Sequence, residues 1–279
     1  MSNGEETKPR LIAPPGTCDC HMHVYDPRYK SRSDVAKPPV APLKDYLRVR
    51  ARLGITRSVV VQPVAYGTDN SCTLEAIAGM GGSARGVAVV DRSVTDADLE
   101  DLTRRGIRGI RFQMFPGGVL PWEALDELAA RVHAFGWHVQ LQMDGCLLPE
   151  REAQLRRLPG LLVIDHVGKF LEPVPVDHAS FRTLLGLVDT GRVYVKLSAP
   201  YEVSKVGAPS YADVGALARA LVQAAPERMV WATNWPHPSA PAGRMPDDAN
   251  LLDLLLDWAP DEQVRHKILV ENPARLYGF

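Results

Sequence analysis

The stretch Thr17-Cys18-Asp19-Cys20-His21-Met22-His23-Val24-Tyr25-Asp26 opens a series of short apolar runs and ends its own run in a His-x-His pair. Side chains two apart on a strand face the same way, so His21 and His23 project to one side. In the first strand of a closed barrel that side is the lumen. Two imidazoles converging there can bind a metal, move protons or hold an anion. What stands opposite them decides which.

Downstream the same beat returns: an apolar run, a polar residue at its C-terminal end, a loop, then a helical pattern. The runs fall at 16–24, 58–63, 84–90, 109–114, 138–144, 161–166, 193–198 and 229–237. Strands alternating with helices predict a parallel sheet, and eight such units predict a (β/α)8, or TIM, barrel. A doubly wound open sheet is the rival, but the Gly-x-Gly-x-x-Gly turn that usually follows its first strand does not occur. The helical patterns predict helices at 43–53, after Asp69-Asn70, from Thr95 to about 105, from Pro121, from Pro149, from Asp177 and at 211–225. Residues 1–15 read as a flexible tail closed by Pro14-Pro15, and 16–279 as one barrel domain.

Composition narrows the function classes. The 32 basic and 33 acidic residues nearly cancel, with no basic patch for nucleic acid. No apolar run reaches the roughly 20 residues of a membrane span, and the polar N-terminus has no signal-peptide core. A cytoplasmic protein is expected, and nothing selects an oligomeric state. Cys18, Cys20, Cys72 and Cys146 are too few for a disulfide scaffold and read as small buried hydrophobes.

Catalytic groups of such barrels sit at the C-terminal ends of the strands. Those ends offer His21 and His23, Gln62, Arg111, Gln142, His166 with Lys169 beyond, Ser198 with Tyr201 beyond, and Asn234 with His237 beyond. Lys196 lies two residues before Ser198, so both face inward, and a lysine there needs a partner such as Asp165 or Glu202. Asp165 directly precedes His166 and is expected to point the opposite way, outside the lumen or onto a neighbouring loop.

Four motifs add to Asp19-x-His21-x-His23: Val-Ile-Asp-His-Val-Gly-Lys (163–169), Lys-Leu-Ser-Ala-Pro-Tyr (196–201), Thr-Asn-Trp-Pro-His (233–237) and Asn-Pro-Ala-Arg-Leu-Tyr-Gly-Phe (272–279). Together they resemble the lactone-processing, metal-independent branch of the amidohydrolase superfamily, from about Pro14 to the C-terminus. The resemblance implies a distorted TIM barrel and a small lactone substrate. Metal-dependent members add a lysine or glutamate on strand four, a histidine on strand five and an aspartate on strand eight. Arg111, Gln142 and Asn234 stand there instead, so no metal or other cofactor is expected. A zinc ion, if bound, would have His21, His23 and His166.

The branch's hydrolases carry an aspartate in Thr-Asp-Trp-Pro-His as the base that activates water. Asn234 cannot accept a proton at neutral pH. The resemblance therefore implies an isomerase of a sugar-diacid lactone, moving the acyl group from the 1,5- to the 1,4-lactone. His21, His23, His166 and Asn234 would be catalytic. His166 would be the first choice for proton transfer, with His21 and His23 as oxyanion donors or a second proton carrier. Arg111, helped by Lys169, would clamp a carboxylate, with Gln62, Gln142, Ser198, Tyr201 and His237 also binding substrate. A lactone hydrolase acting on pyrone diacids is the alternative, a metal-dependent enzyme of the wider superfamily comes next, and a non-catalytic sugar-acid-binding barrel is the remote reading.

Overall fold

A computed structural model describes residues 7–240, 243 and 245–279. Its eight strands are parallel and follow chain order around one sheet: β1 (Cys18–Met22), β2 (Arg57–Val61), β3 (Ala84–Ala88), β4 (Ile107–Gln113), β5 (His138–Gln142), β6 (Leu162–Ile164), β7 (Val193–Leu197) and β8 (Met229–Trp231). Helices α1 (Leu43–Leu53), α2 (Ser71–Met80), α3 (Asp96–Arg104), α4 (Leu125–His133), α5 (Leu148–Arg157), α6 (Ala179–Val188) and α7 (Ala212–Ala224) join successive strands. After β8 come α8 (Asp248–Asp253), α9 (Leu255–Trp258), α10 (Glu262–His266) and α11 (Asn272–Tyr277). The expected (β/α)8 barrel is the fold.

Local chemistry sets the helix starts. Thr95 and Asp98 form a reciprocal capping box at α3. Where proline at 121 was expected to open a helix, residues 122–124 first wind a 3-10 turn and α4 begins at Leu125. Asp177 does not open α6. His178 caps it, its Nδ1 accepting from the Ser180 amide at 3.2 Å.

The seam between β1 and β8 is closed by a side chain as much as by backbone. The ladder there is reduced to one bridge, Met22 to Trp235, with the Asn234 amide donating to His21 O and the His23 amide to Trp235 O, both at 2.8 Å. Asp19 fills the gap. Its Oδ1 accepts from the His21 and Thr233 amides, and its Oδ2 from Tyr46 and Thr233 hydroxyls. Burial raises this carboxyl to about 6 despite those donors.

Inside the barrel, Cys18, Cys20, Val59, Val61, Val87, Val163, Tyr194, Val230 and Ala232 pack with Leu276 and Tyr277 of α11. This largely apolar plug fills the lower lumen, with buried His138 packed on Tyr277, and most of the inward-facing polar groups gather above it. A register irregularity between Asp19 and Met22 shifts β1 so that Cys18 and Cys20 join the plug while His21 still reaches inward. Cys18, Cys20 and Cys72 are buried free thiols, as expected, and Cys146 is half-buried. Of the leading 15 residues, 1–6 lie outside the described residues. Arg10 and Leu11 donate their backbone amides to Asp253, and Leu11 is buried.

Candidate active site

A cavity of about 340 Å³ opens above the plug at the C-terminal strand ends. His23, Arg111, Gln142, His166, Lys169 and Asn234 line it, six of the residues expected there. The other five sit elsewhere. Gln62 turns outward, donating to Gly67 O and Asp69 O while its Oε1 accepts from Thr73, so its amide holds the β2 loop. His21 lies beneath the cavity, Ser198 behind His166, and Tyr201 and His237 behind Asn234.

The floor is a closed hydrogen-bond network. The Val61 carbonyl can only accept, so the His23 Nδ1 2.7 Å away carries a proton. His23 is neutral, its pKa lowered to about 3 by burial and by Arg111. Its Nε2 is therefore a lone pair and accepts from His21 Nε2–H at 3.2 Å. His21 is neutral for the same reason, burial first and Lys196 next. Its Nδ1 then accepts from the Lys196 ammonium at 3.2 Å and from Gln140 at 3.4 Å. Lys196 also donates to Gln140 Oε1 at 2.7 Å, and Gln140 Nε2 to Asp165 Oδ2 at 3.0 Å. Neither histidine of the pair has an N–H left for a ligand.

Asp165 corrects the sequence expectation. It faces the lumen, 3.5 Å from Lys196 Nζ. The period-two alternation that points Val163 inward carries on to Asp165. The alternation fails one residue later, because His166 and Val167 take left-handed φ values of 54° and 55°. His166 thus enters the cavity from the loop above the strand. Burial alone would raise the Asp165 carboxyl, but Lys196, His166 and Arg111 outweigh it and the net shift is downward. Dehydrating an ammonium costs several kcal/mol, so Lys196 is tenable here only because Asp165, Gln140 and His21 all receive it.

His21, Asp165 and His166 bring possible ligand atoms within 4.8 Å of one another. A divalent cation does not fit them well as they stand. Lys196 holds its positive charge within 3.5 Å of two of the three, and the lone pair of His21 Nδ1 is already taken.

The cavity walls carry the groups that remain free. His166 Nδ1 pairs with Ser198 Oγ at 2.8 Å, and its buried Nε2 has no partner among the described residues. Burial holds this imidazole well below its ordinary pKa, against the pull of Asp165. Arg111 donates to Gln62 O at 2.9 Å and Gln142 Oε1 at 3.3 Å, and its Nε is unpartnered. No acidic side chain pairs with it among the described residues. The Tyr25 hydroxyl, also at the wall, stays protonated because burial raises its pKa.

Asn234 is held by its amide nitrogen. Nδ2 donates to Tyr201 Oη at 2.9 Å and to Glu202 Oε1 at 3.1 Å, and Lys169 binds the other oxygen of Glu202. Both N–H groups are used, which leaves only the non-basic Oδ1 for a ligand. Tyr25, Gln113 and Gln140 were missed in the sequence, where Asp165 and Glu202 figured only as possible partners of Lys196, a role that Asp165 fills. For Tyr25, Gln113 and Asp165 a signal existed, since each stands two residues beyond an inward-facing position.

An eight-stranded parallel barrel with ionisable groups gathered over the C-terminal strand ends defines a barrel enzyme. The chain belongs to the Amidohydrolase family, whose model matches residues 18–279. It is 39% identical to D-galactarolactone isomerase of Agrobacterium fabrum (strain C58 / ATCC 33970) over 275 residues, 97% of this chain and 94% of that one. It is 36% identical to the 2-pyrone-4,6-dicarboxylate hydrolase of Comamonas testosteroni over 290 residues, 97% and 93% of the two chains. An apo crystal structure of an Agrobacterium tumefaciens protein superposes with a TM-score of 0.93 at 39% identity, covering 98% of this chain and 97% of that one. No helix among the described residues is long and apolar enough to cross a membrane.

Proposed function

We propose that this chain isomerises a sugar-diacid lactone, converting a 1,5-lactone to the 1,4-lactone. The observation that carries the reading is Asn234. Its N–H groups are spent on Tyr201 and Glu202, so the strand-eight position presents an acceptor that cannot deprotonate water. Glu202 is no substitute base, because Lys169 and Asn234 occupy its two oxygens. The 39% identical isomerase supports the same reading.

The chemistry needs one proton carrier. The substrate's 4-hydroxyl attacks the lactone carbonyl, forming the C1–O4 bond, and His166 Nε2 takes the hydroxyl proton. For that, His166 Nδ1 carries the hydrogen and donates to Ser198 Oγ. The C1–O5 bond then breaks, and the same imidazole returns the proton to O5. Attacking and leaving oxygens share one tetrahedral carbon, so a single base serves both. Asp165 stabilises the transient imidazolium. Tyr25 donates to the oxyanion and Arg111 anchors the free carboxylate. Asn234 Oδ1 accepts from a substrate hydroxyl.

The reaction runs without a metal, the Lys196 ammonium occupying the ground a cation would need. Four free cysteines suit a reducing cytoplasm, and the reaction class suits catabolism of sugar diacids. Hydrolysis is the second reading, supported by the 36% identical hydrolase; there His166 would activate water. Proton NMR of a panel of aldaro-lactones separates the two. A new lactone supports the isomerase, and an open diacid contradicts it.

A further inference from the structure

Behind Asn234 runs a chain of three buried side chains, Tyr201, His237 and Asp248, none of which lines the cavity. Asp248 Oδ1, at the start of α8, lies 3.0 Å from His237 Nε2. His237 Nδ1 lies 3.0 Å from Tyr201 Oη, and Tyr201 Oη 2.9 Å from Asn234 Nδ2. The direction is set at Asn234. An amide nitrogen only donates, so Tyr201 Oη accepts from Asn234 Nδ2 and turns its own hydrogen to His237 Nδ1. The approach of His237 Nε2 to Asp248 Oδ1 is a close polar contact without hydrogen-bond geometry. At the other side Glu202, neutralised by Lys169, accepts the second N–H of the same amide.

We infer that Tyr201 and His237 are positioning residues that act through Asn234. They lock its amide with the nitrogen turned away and Oδ1 toward the substrate hydroxyl. The inference rests on the isomerase reading for what Oδ1 then holds. Without the lock, the amide can rotate and offer N–H in place of an acceptor, and the attacking hydroxyl loses its alignment with His166. The backbone is committed to the arrangement too. Asn234 and His237 adopt left-handed φ values of 61° and 63°, and the His237 amide donates to Asn234 O at 2.8 Å.

A double-mutant cycle tests this, with kcat, KM and product read by NMR. Tyr201→Phe is expected to lower kcat about tenfold, the size of effect that misalignment of a reacting group produces, with KM within about twofold. In an Asn234→Ala background, Tyr201→Phe is expected to lower kcat no further, since the group it positions is gone. His237→Gly and His237→Asn both tolerate the left-handed backbone, so their difference reports the acceptor. The glycine variant is expected to match Tyr201→Phe, and the asparagine variant to recover most of the loss. An equal further loss in the Asn234→Ala background, or wild-type kcat for Tyr201→Phe, overturns the positioning role. Product identity keeps the two ideas apart. An open diacid from the unaltered chain contradicts the isomerase reading, whereas a lactone with additive losses contradicts only the positioning chain.

Discussion

At the scale of single residues the site is decided by which donors and acceptors remain unpaired. Arg111 has a free Nε and no acidic partner among the described residues, so it awaits an anion. Arg111→Gln removes the charge, and a hydrogen bond to a charged group is worth about 1.5–3 kcal/mol, so kcat/KM should fall about 10- to 100-fold. Steady-state kinetics check it, the loss falling mainly on KM. Asn234→Asp sets a second carboxylate 3.1 Å from Glu202 Oε1, acceptor against acceptor. Isomerisation is expected to fall at least about tenfold, and any open diacid in the product would report the restored base. Sequence alone brought Arg111, His166 and Asn234 to one end of the barrel, because strand ends are legible from apolar runs. It misplaced Asp165 because alternation was counted back from His166, which is no longer in the strand. It counted Gln62 as a ligand because a glutamine at a strand end looks the same whether it faces the lumen or the loop outside.

At the scale of elements, the β1–β8 seam depends on Asp19. Asp19→Ala strands the Thr233 amide and the Thr233 hydroxyl hydrogen among buried groups, at about 1–3 kcal/mol each, while Tyr46 keeps its bond to Ser58. A total near 3 kcal/mol lowers Tm by about 5 °C in a chain of this size. Differential scanning calorimetry measures it, and a shift below about 2 °C would show that the seam holds without this carboxylate. The eight strands were legible because each is a β-branched run between turn residues. The Asp19 staple was not. Its partners Tyr46 and Thr233 are 27 and 214 residues away, and no local pattern announces a contact of that kind.

Over the whole molecule, four histidines are buried and neutral: His21, His23, His138 and His166. Unfolding releases them to the ordinary value of 6.5, whereas His23 and His138 hold near 3 when folded. Below 6.5 the unfolded chain takes up protons that the folded chain refuses. Stability from these groups is therefore present above pH 6.5 and is lost as pH falls toward 3. Asp19 works the other way. Its folded value of about 6 exceeds the ordinary 3.8, so its contribution is present below 3.8 and is lost as pH rises through 6. Four groups outweigh one, and Tm is expected to fall between pH 7 and 5. The acid limb of kcat/KM should lie below 6.5, because the His166 base is held below that value. The central claim is that the acyl group moves within one molecule and water takes no part. Running the reaction on a sugar-diacid 1,5-lactone in water labelled with oxygen-18 tests it most directly. Intramolecular transfer yields a 1,4-lactone carrying no label by mass spectrometry, and an open diacid with one labelled carboxyl oxygen would rule it out.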